Sequence, residues 1–140
     1  MVHMYTLGRQ TLKSPVGILP GKDINAEKYN RLASKGASFV EIGPVSPQEQ
    51  DLPKQKKRLF SRQPAVSYDV SNKGVKYVIE NLQKKTPKSL ILANITYNAG
   101  RTMVDDIIGD INKAFSLLYD FVDAFVIDTF RMNGEGSPML

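Results

Sequence analysis

The polar residues that could do chemistry stand where apolar, strand-like runs end. Gly43 follows one such run, Asn94 lies near the end of another, and Asp128 and Thr129 close a third. An amide donates and accepts hydrogen bonds, a carboxylate only accepts them, and a glycine lets a flat ligand approach the backbone. The residues alone favour a simple turn at Gly43. For Asn94, ligand binding and the satisfaction of a loop are equally good interpretations.

Composition excludes several kinds of site. The chain contains no cysteine and one histidine, His3, so disulfides and thiolate metal sites are excluded, and a histidine metal site or triad is not expected. Thr129 is a hydroxyl without an activating partner nearby in the sequence. Asp128 could act as a base, but an ion pair with Arg131 is the favoured interpretation.

The overall composition is that of one globular domain. The chain has 140 residues, of which 41% are hydrophobic and 24% charged, enough to bury a core. Its apolar runs are far shorter than the ~20 residues that a membrane helix needs. No signal peptide opens the chain, so a cytoplasmic protein without a membrane segment is predicted.

Positive charge is concentrated in one polar segment. The net charge is +5, and residues 54–58 read Lys-Gln-Lys-Lys-Arg, with Arg62 close behind. Such a run could contact phosphates, which makes a nucleic-acid binder one hypothesis. No nucleic-acid-binding motif or aromatic stacking platform accompanies it. A solvated basic loop or hairpin over residues 48–64 is therefore predicted, with no nucleic-acid partner.

Alternating strand and helix patterns predict a single domain over residues 1–140. An N-terminal arm over residues 1–13 contains a strand or hairpin arm, with Gly8 as its turn. Short β-branched runs bounded by Gly, Pro, Asn and Ser then predict the strands. These are residues 15–21, the stretch 39–47 that closes in a tight loop, residues 89–95 and residues 124–129, with a further short strand at residues 65–70.

Helical spacing of apolar residues predicts three helices. Asn25 is predicted to cap the first and Gly36 to end it. Ser71 is predicted to cap the second, which ends before Pro87. Residues 102–105, Thr-Met-Val-Asp, have the form of a capping box before the third. The predicted buried stripes are Ala26, Tyr29, Leu32 and Ala33; Val75, Val78, Ile79 and Leu82; and Val104, Ile107, Ile108, Ile111, Ala114, Leu118, Phe121 and Val122.

The order of these elements predicts an α/β fold of parallel (βα) units. Right-handed crossovers would make the four main strands parallel, with the helices outside. The strand ends at Gly21, Gly43, Asn94 and Asp128 would then share one edge, where α/β proteins build their sites. A complete TIM-type (β/α)8 barrel needs about 250 residues, so this chain would form about half of one.

Several stretches of the sequence resemble dihydroorotate dehydrogenases. Residues 14–27 resemble that family's Asn-Pro-Val-Gly-Leu-Ala-Ala-Gly-Phe-Asp-Lys-Asn-Gly-Glu, and residues 39–47 resemble its Phe-Val-Glu-Val-Gly-Thr-Val-Thr-Pro. Residues 58–60 are similar to its Arg-Leu-Phe-Arg segment and residues 71–74 to its Asn-Asn-Asp-Gly. The matches keep the family's order to about Asn133. The quinone-linked class is most similar, and the resemblance covers its N-terminal half without the membrane-associating helices.

The resemblance implies a cofactor and a reaction. In this family a (β/α)8 barrel holds FMN over the strand ends, and dihydroorotate is oxidised to orotate in pyrimidine biosynthesis. By resemblance, Asn133 is a substrate contact, and Lys22 is expected at the flavin edge or in solvent. The implied flavin contacts are Pro20, Gly21, Lys22, Asp23, Pro44 and Asn94.

The reactive positions depart from the family's pattern. Its substrate-binding lysine falls at Ile24, and the asparagine that opens its Asn-Arg-Met-Gly-Phe loop falls at Val66. Its serine base falls at Arg131, which stays protonated near neutral pH, so no catalytic residue is predicted. Asp128 would repel the anionic substrate where the family has an asparagine. Of the matched substrate contacts, Asn133 alone remains.

Two functions follow as hypotheses. The chain is either part of an FMN-dependent oxidoreductase similar to dihydroorotate dehydrogenase, inactive alone as a partial barrel, or a non-catalytic binding or regulatory module. A partial barrel exposes a sheet edge and apolar helix faces. The expected partners are therefore a second copy or the missing C-terminal half of the barrel.

Overall fold

The computed structural model describes residues 5–51, 71–86 and 88–127. The predicted strand at residues 65–70, the basic run of residues 54–62 and the predicted site residues from Asp128 to Asn133 lie outside the described residues. The predicted hairpin at the N-terminus is confirmed. Strands β1 (Tyr5–Leu7) and β2 (Gln10–Leu12) pair antiparallel, and the turn passes through Gly8 at φ 57°.

A parallel sheet positions the candidate site. Strands β3 (Phe39–Val45), β4 (Leu90–Ile95) and β5 (Ala124–Ile127) lie in the order β3-β4-β5, and both pairings are parallel. Their apolar, β-branched sequences suit strands covered on both faces. The prediction of an α/β fold with a parallel sheet is confirmed for the described residues.

The strand predicted at residues 15–21 is wrong as a full strand. Only Ile18 forms a bridge, parallel to Val40 of β3, with one hydrogen bond from the Ile18 amide to the Phe39 carbonyl (2.9 Å) and one from the Glu41 amide to the Ile18 carbonyl (2.9 Å). Prolines at positions 15 and 20 have no N–H to donate to a ladder, which limits the pairing to this short segment. The segment still lies beside β3 and runs parallel to it at this bridge.

Three helices connect these strands. They are α1 (Tyr29–Ala33), α2 (Gly74–Leu82) and α3 (Val104–Leu118). Gly36, at φ 88°, follows the end of α1 as predicted, and its amide bonds the Ala33 carbonyl at 3.2 Å. No helix in the described ranges is long and apolar enough to cross a membrane.

All three predicted caps are wrong. The helices begin after Lys28, Lys73 and Met103, and none of these residues makes a side-chain cap hydrogen bond. Asn25 instead accepts a hydrogen bond from the distant Lys73 amide (3.0 Å). The Asn25 side chain does not cap the helix, because its oxygen is used in a contact between two elements.

The second predicted cap, Ser71, is displaced by its neighbour. The Ser71 hydroxyl bonds Asp51 at 3.2 Å, while Asn72 Oδ1 accepts from the Gly74 amide at 2.9 Å. Asn72 also holds the end of β3, as described below. The helix start is therefore fixed by a residue that belongs to the site edge.

The core lies between one face of the sheet and the helices. Predicted helix residues form it, together with alternate residues of β3 and β4. The prediction fails at Ile108, which is 45% exposed, because it lies about 100° around α3 from the buried Ile107. The buried residues of the core are Ala26, Tyr29, Leu32, Ala33, Val40, Ile42, Val45, Val75, Val78, Leu82, Ile91, Ala93, Ile95, Ala114 and Leu118.

Gly43 marks the closest approach between β3 and β4. Its φ is 103°, and a Cβ at this position would lie 2.3 Å from the Asn94 backbone oxygen. A side chain would therefore require both a strained backbone and a shift of β4. Between Ile42 and Val45 the pairing register shifts at this same point.

We expect Gly43→Ala to lower the free energy of unfolding by at least about 2 kcal/mol, through the left-handed φ and the clash with β4. Urea denaturation followed by circular dichroism measures this. The matched control is Gly109→Ala in α3, where the added methyl meets no atom within 4 Å. This control should be neutral or stabilising by up to about 1 kcal/mol. Equal stability of the two variants would contradict the close approach.

Candidate functional site

The carboxyl ends of the strands meet through backbone hydrogen bonds. The Gly21 amide donates to the Gly43 carbonyl at 3.0 Å, and the Gly43 amide donates to the Asp23 carbonyl at 3.1 Å. Gly43 in turn lies against the Asn94 backbone. The structure thus brings together three of the four strand ends that the sequence predicts at one edge. The fourth, Asp128, lies outside the described residues.

Asp23 is predicted as a flavin contact, and its side chain is occupied within the protein. It is 2% exposed, and Oδ2 accepts a hydrogen bond from the Lys28 amide at 2.9 Å. Burial raises the pKa of Asp23, although the amides of Lys28 and Glu27 oppose this. The carboxylate therefore stabilises the loop before α1. The Asp23 carbonyl is likewise bonded to the Gly43 amide, so Asp23 ties this loop to β3 and little of it is open to a ligand.

The other predicted contacts of this loop face solvent. Pro20, Gly21 and Lys22 are all exposed, and Gly21 has φ 82° with no atom within 4 Å of where a Cβ would stand. Pro44 is partly buried and follows Gly43 through a cis peptide bond. The loop thus presents an open backbone surface and one lysine at the carboxyl edge of the sheet.

Asn94 occupies the centre of this edge. It is 6% exposed, and its Nδ2 donates to Glu41 Oε1 at 3.0 Å. Its Oδ1 is buried and has no hydrogen-bond partner among the residues that the structure describes. Buried acceptors are nearly always paired in proteins, by protein, water or ligand. Such an acceptor at the carboxyl edge of a parallel sheet makes Asn94 a candidate for contact with a ligand.

Glu41 is a site residue that the sequence reasoning missed. It is 8% exposed in the middle of β3. The signal was present, because a carboxylate inside an apolar strand is rarely buried without a partner. Glu41 was interpreted only as part of a buried strand, because strand periodicity does not show which residue of the neighbouring strand it contacts.

A buried asparagine joins the end of β3 to the start of α2. Asn72 Oδ1 accepts from the Ser46 amide (3.3 Å), the Ser46 hydroxyl (3.0 Å) and the Gly74 amide (2.9 Å). Backbone bonds between Gln50 and Asn72 run in both directions, at 2.9 and 3.0 Å. The loop that leaves β3 is therefore held to the helix that follows it.

A second set of bonds joins this loop to the loop after β4. Asn98 Oδ1 accepts from the Gln48 amide at 3.1 Å, and Asn98 Nδ2 donates to the Gln48 carbonyl at 2.9 Å. The Ala99 amide donates to Gln50 Oε1 at 2.9 Å. The two loops above the carboxyl edge thus form one connected layer, which the sequence analysis did not predict.

An ion pair anchors the loop after β4 to α3. Arg101 donates to both oxygens of Asp110, at 2.9 and 3.1 Å, and the Asn98 amide adds a third bond at 3.0 Å. Burial by itself raises the pKa of Asp110, but these donors outweigh it and hold the pKa below its usual value. Asp110 is thus a carboxylate on the otherwise apolar buried face of α3.

A separate cavity lies at the opposite, amino-terminal edge of the sheet. It measures about 300 Å³, and its lining includes Lys13, Ser38, Lys85, Leu90 and Asp123. Ser38 and Leu90 stand at the amino-terminal ends of β3 and β4. The cavity is therefore remote from every predicted site residue in the described ranges.

The carboxyl edge fits a flat, polar ligand such as a flavin. The backbone at Gly21 is open, Gly43 brings β3 against β4, and the orphan oxygen of Asn94 needs a donor. These features would let Asn94 and the exposed backbone of residues 20–22 hold such a ring. In the described residues the edge supplies binding groups, and no side chain there is poised as a general base.

Curated proteins named dihydroorotate dehydrogenase (quinone) are similar to this chain. The protein of Christiangramia forsetii is 34% identical over 125 residues, which make up 86% of this chain and 36% of that protein. The protein of Pseudoalteromonas atlantica is 35% identical over 131 residues, which make up 90% of this chain and 38% of that protein. The protein of Cellvibrio japonicus is 30% identical over 127 residues, which make up 88% of this chain and 36% of that protein. The chain therefore spans little more than a third of the length of these relatives. No protein-family model matches it.

We expect Asp110→Asn to lower the free energy of unfolding at pH 7 by about 1 kcal/mol, because the buried charge-assisted bonds are weakened. The depressed pKa of Asp110 stabilises the fold above about pH 4, and this contribution is lost as the pH falls further. The difference between variant and wild type should therefore be smaller at pH 3 than at pH 7. Urea denaturation at both pH values measures it. Asp120→Asn, at an exposed carboxylate, should change stability little at either pH.

Proposed function

Since this chain belongs to the dihydroorotate dehydrogenase family, we propose that it forms the flavin-binding N-terminal portion of an FMN-dependent oxidoreductase. In this proposal the three parallel strands and the segment beside β3 make up about half of a TIM-type (β/α)8 barrel. The reaction of the whole protein would be of the dihydroorotate dehydrogenase type. The chain covers little more than a third of its relatives' length, so the remaining strands would come from another polypeptide segment.

The observation that carries the proposal is the orphan oxygen of Asn94. It lies on β4 at the edge where Gly21, Asp23 and Gly43 are tied together, and although it is buried it has no partner within residues 5–51, 71–86 and 88–127. Burial of an unsatisfied acceptor costs about 1–3 kcal/mol, so this atom calls for a donor from a water or a ligand. A ligand donor would remove that cost.

Each predicted flavin contact has a defined role in this proposal. Asn94 accepts a hydrogen bond from the ring, and Gly21 offers an open backbone surface. Asp23 contributes by holding the loop in place, since its carboxyl oxygen accepts from the Lys28 amide and its carbonyl accepts from the Gly43 amide. Lys22 is exposed and supplies positive charge near an anionic cofactor, and Pro44 packs at the ring edge. Bound FMN would supply the hydride acceptor, which this chain cannot supply by itself.

A second candidate function is that of a non-catalytic binding or regulatory module. The specific observation in its favour is the residue type at the reactive positions. Ile24, where the family has a lysine, is half-buried and cannot pair with a carboxylate. Arg131 and Asn133, at the base and substrate positions, lie outside the described residues, so the loss of the base rests on sequence. In this alternative the edge binds flavin and no dihydroorotate is oxidised.

The partner that we propose covers the open side of β5. Within the described residues β5 pairs with β4 alone. Beside it Phe115 stacks on Phe125 with ring centroids 4.5 Å apart, and both Phe115 and Tyr119 are exposed, by 39% and 62%. Either the remaining barrel half or a second copy of this chain would bury these rings. A cytoplasmic location stays a prediction.

We expect FMN to bind the 140-residue chain weakly but saturably, because half of the barrel edge is present. Asn94→Ala should weaken this binding about tenfold, the effect of one lost buried hydrogen bond. Quenching of flavin fluorescence during titration measures both affinities. Asn112→Ala, at an exposed asparagine of α3, is the control and should bind like wild type. Absence of saturable binding, or an unchanged affinity of Asn94→Ala, would argue against the proposal.

Dihydroorotate should leave the flavin of this partial barrel oxidised, because Arg131 stands at the base position and an active whole protein would have to supply the base from elsewhere. The measurement is anaerobic: the flavin absorbance band is followed after addition of dihydroorotate to the FMN-loaded chain, and dithionite then provides the fully reduced reference. Bleaching by dihydroorotate at a rate above that of free FMN would favour the enzyme over the module and would require another base.

A further inference from the structure

The side chains of Glu41 and Asn94 form an isolated polar pair on one face of the sheet. Glu41 Oε1 accepts from Asn94 Nδ2 at 3.0 Å, and the two residues are 8% and 6% exposed. The register aligns Glu41 with Leu92 and Ile42 with Ala93. Because side chains alternate along a strand, Glu41 and Asn94 both lie on the face opposite to the core residues Ile42 and Ala93.

The chemistry of this pair fixes the orientation of the amide. A carboxylate has no hydrogen to donate, so it accepts from a neighbouring amide only if the nitrogen faces it. The reverse orientation would place Asn94 Oδ1 against Glu41 Oε1, two acceptors with like partial charge. The amide nitrogen therefore faces Glu41, and Oδ1 is the atom that remains for another partner.

That remaining atom is the one buried without a hydrogen bond. An acceptor in this state calls for a donor from outside the described protein groups, either a water or a ligand. A ligand that placed an acceptor here would be repelled by Asn94 Oδ1, because both atoms carry a negative partial charge. Glu41 therefore determines that the site presents an acceptor to the ligand, although Glu41 itself contacts Asn94 and not the ligand.

We infer that Glu41 is a positioning residue, which holds the Asn94 amide so that Oδ1 receives a hydrogen-bond donor of the bound ligand. This deepens the proposed function and rests on it for the identity of the ligand. The only donor on the oxidised flavin ring is N3–H, so that group is the one assigned to Asn94. The inference about the amide itself depends on the pair alone.

The first experiment tests the amide without any ligand. In the nitrogen-15 spectrum of the wild-type chain, one side-chain proton of Asn94 should exchange with solvent more slowly than the amide protons of the exposed Asn112. Glu41→Gln keeps the volume but lets residue 41 donate as well as accept. It should speed this exchange by about tenfold or more, while Glu80→Gln, at an exposed glutamate of α2, leaves it unchanged. Fast exchange in wild type overturns the inference, whether or not the variant folds.

The second experiment tests the polarity toward the ligand, with FMN and its N3-methyl derivative as probes. Wild type should prefer FMN by about tenfold, the value of one hydrogen bond. In Glu41→Gln the new amide can donate to Asn94 Oδ1, and FMN must break that bond to bind. The variant should therefore lose affinity for FMN, by about threefold to tenfold, and keep its affinity for the methylated flavin.

The outcomes separate this inference from the proposed function. Equal weakening of both flavins by Glu41→Gln, or of neither, overturns the role of Glu41 toward the ligand and indicates that Oδ1 bonds a buried water. If wild type binds neither flavin, the proposed function fails, and the exchange measurement alone decides whether Glu41 positions Asn94. Slow exchange with selective loss of FMN affinity supports both.

Discussion

The contact between the backbones of β3 and β4 at Gly43 is the constraint on which the site depends. The Gly43 carbonyl and amide both bond the segment of residues 21–23, while its α-carbon lies against the Asn94 carbonyl. Three chain segments thus converge on one residue that has no side chain. A methyl group there would separate them, because φ is positive and the space is already filled. The absence of a side chain at Gly43 allows these three segments to meet, and their meeting forms the edge at which a ligand would bind.

Polar side chains continue this organisation beyond the strands. Asn72 joins the exit of β3 to α2, Asn98 joins the two loops after β3 and β4, and Asp110 ties the second of these loops to α3. Each is buried, and each accepts bonds from backbone amides that would otherwise be unsatisfied. Loops held in this way can present binding groups with little freedom, which reduces the entropy that a ligand must remove. In the proposed function, these bonds would prepare the described edge for its ligand.

Binding and chemistry are separable in this protein. The residues that would hold a flavin lie on the rigid edge, whereas the positions that would move protons carry Ile24 and, beyond the described residues, Arg131. A hydrophobic side chain and a permanent cation perform neither substrate pairing nor proton abstraction. A family fold can keep its cofactor surface while its reactive groups change, because the surface is made largely of backbone and the reaction of side chains.

The sequence by itself determined the elements whose patterns are local. Strands β3, β4 and β5, the apolar face of α3 and the hairpin at the N-terminus follow from periodicity over a few residues. It also indicated that strand ends such as Gly43 and Asn94 would meet, since parallel strands share an edge. Asn94 was identified in this way, with ligand binding and the satisfaction of a loop as two equally good interpretations.

Only the tertiary structure decided which polar atoms pair. Asn98 and Gln48 are 50 residues apart and Asn94 and Glu41 are 53 apart, so no window of sequence contains both partners. For the same reason the predicted caps at Asn25 and Ser71 were wrong, because distant groups claimed their side chains. Glu41 was missed because its role depends on its hydrogen bond with Asn94 of the neighbouring strand. Local patterns decide which faces are buried, and the folded chain decides which donor meets which acceptor.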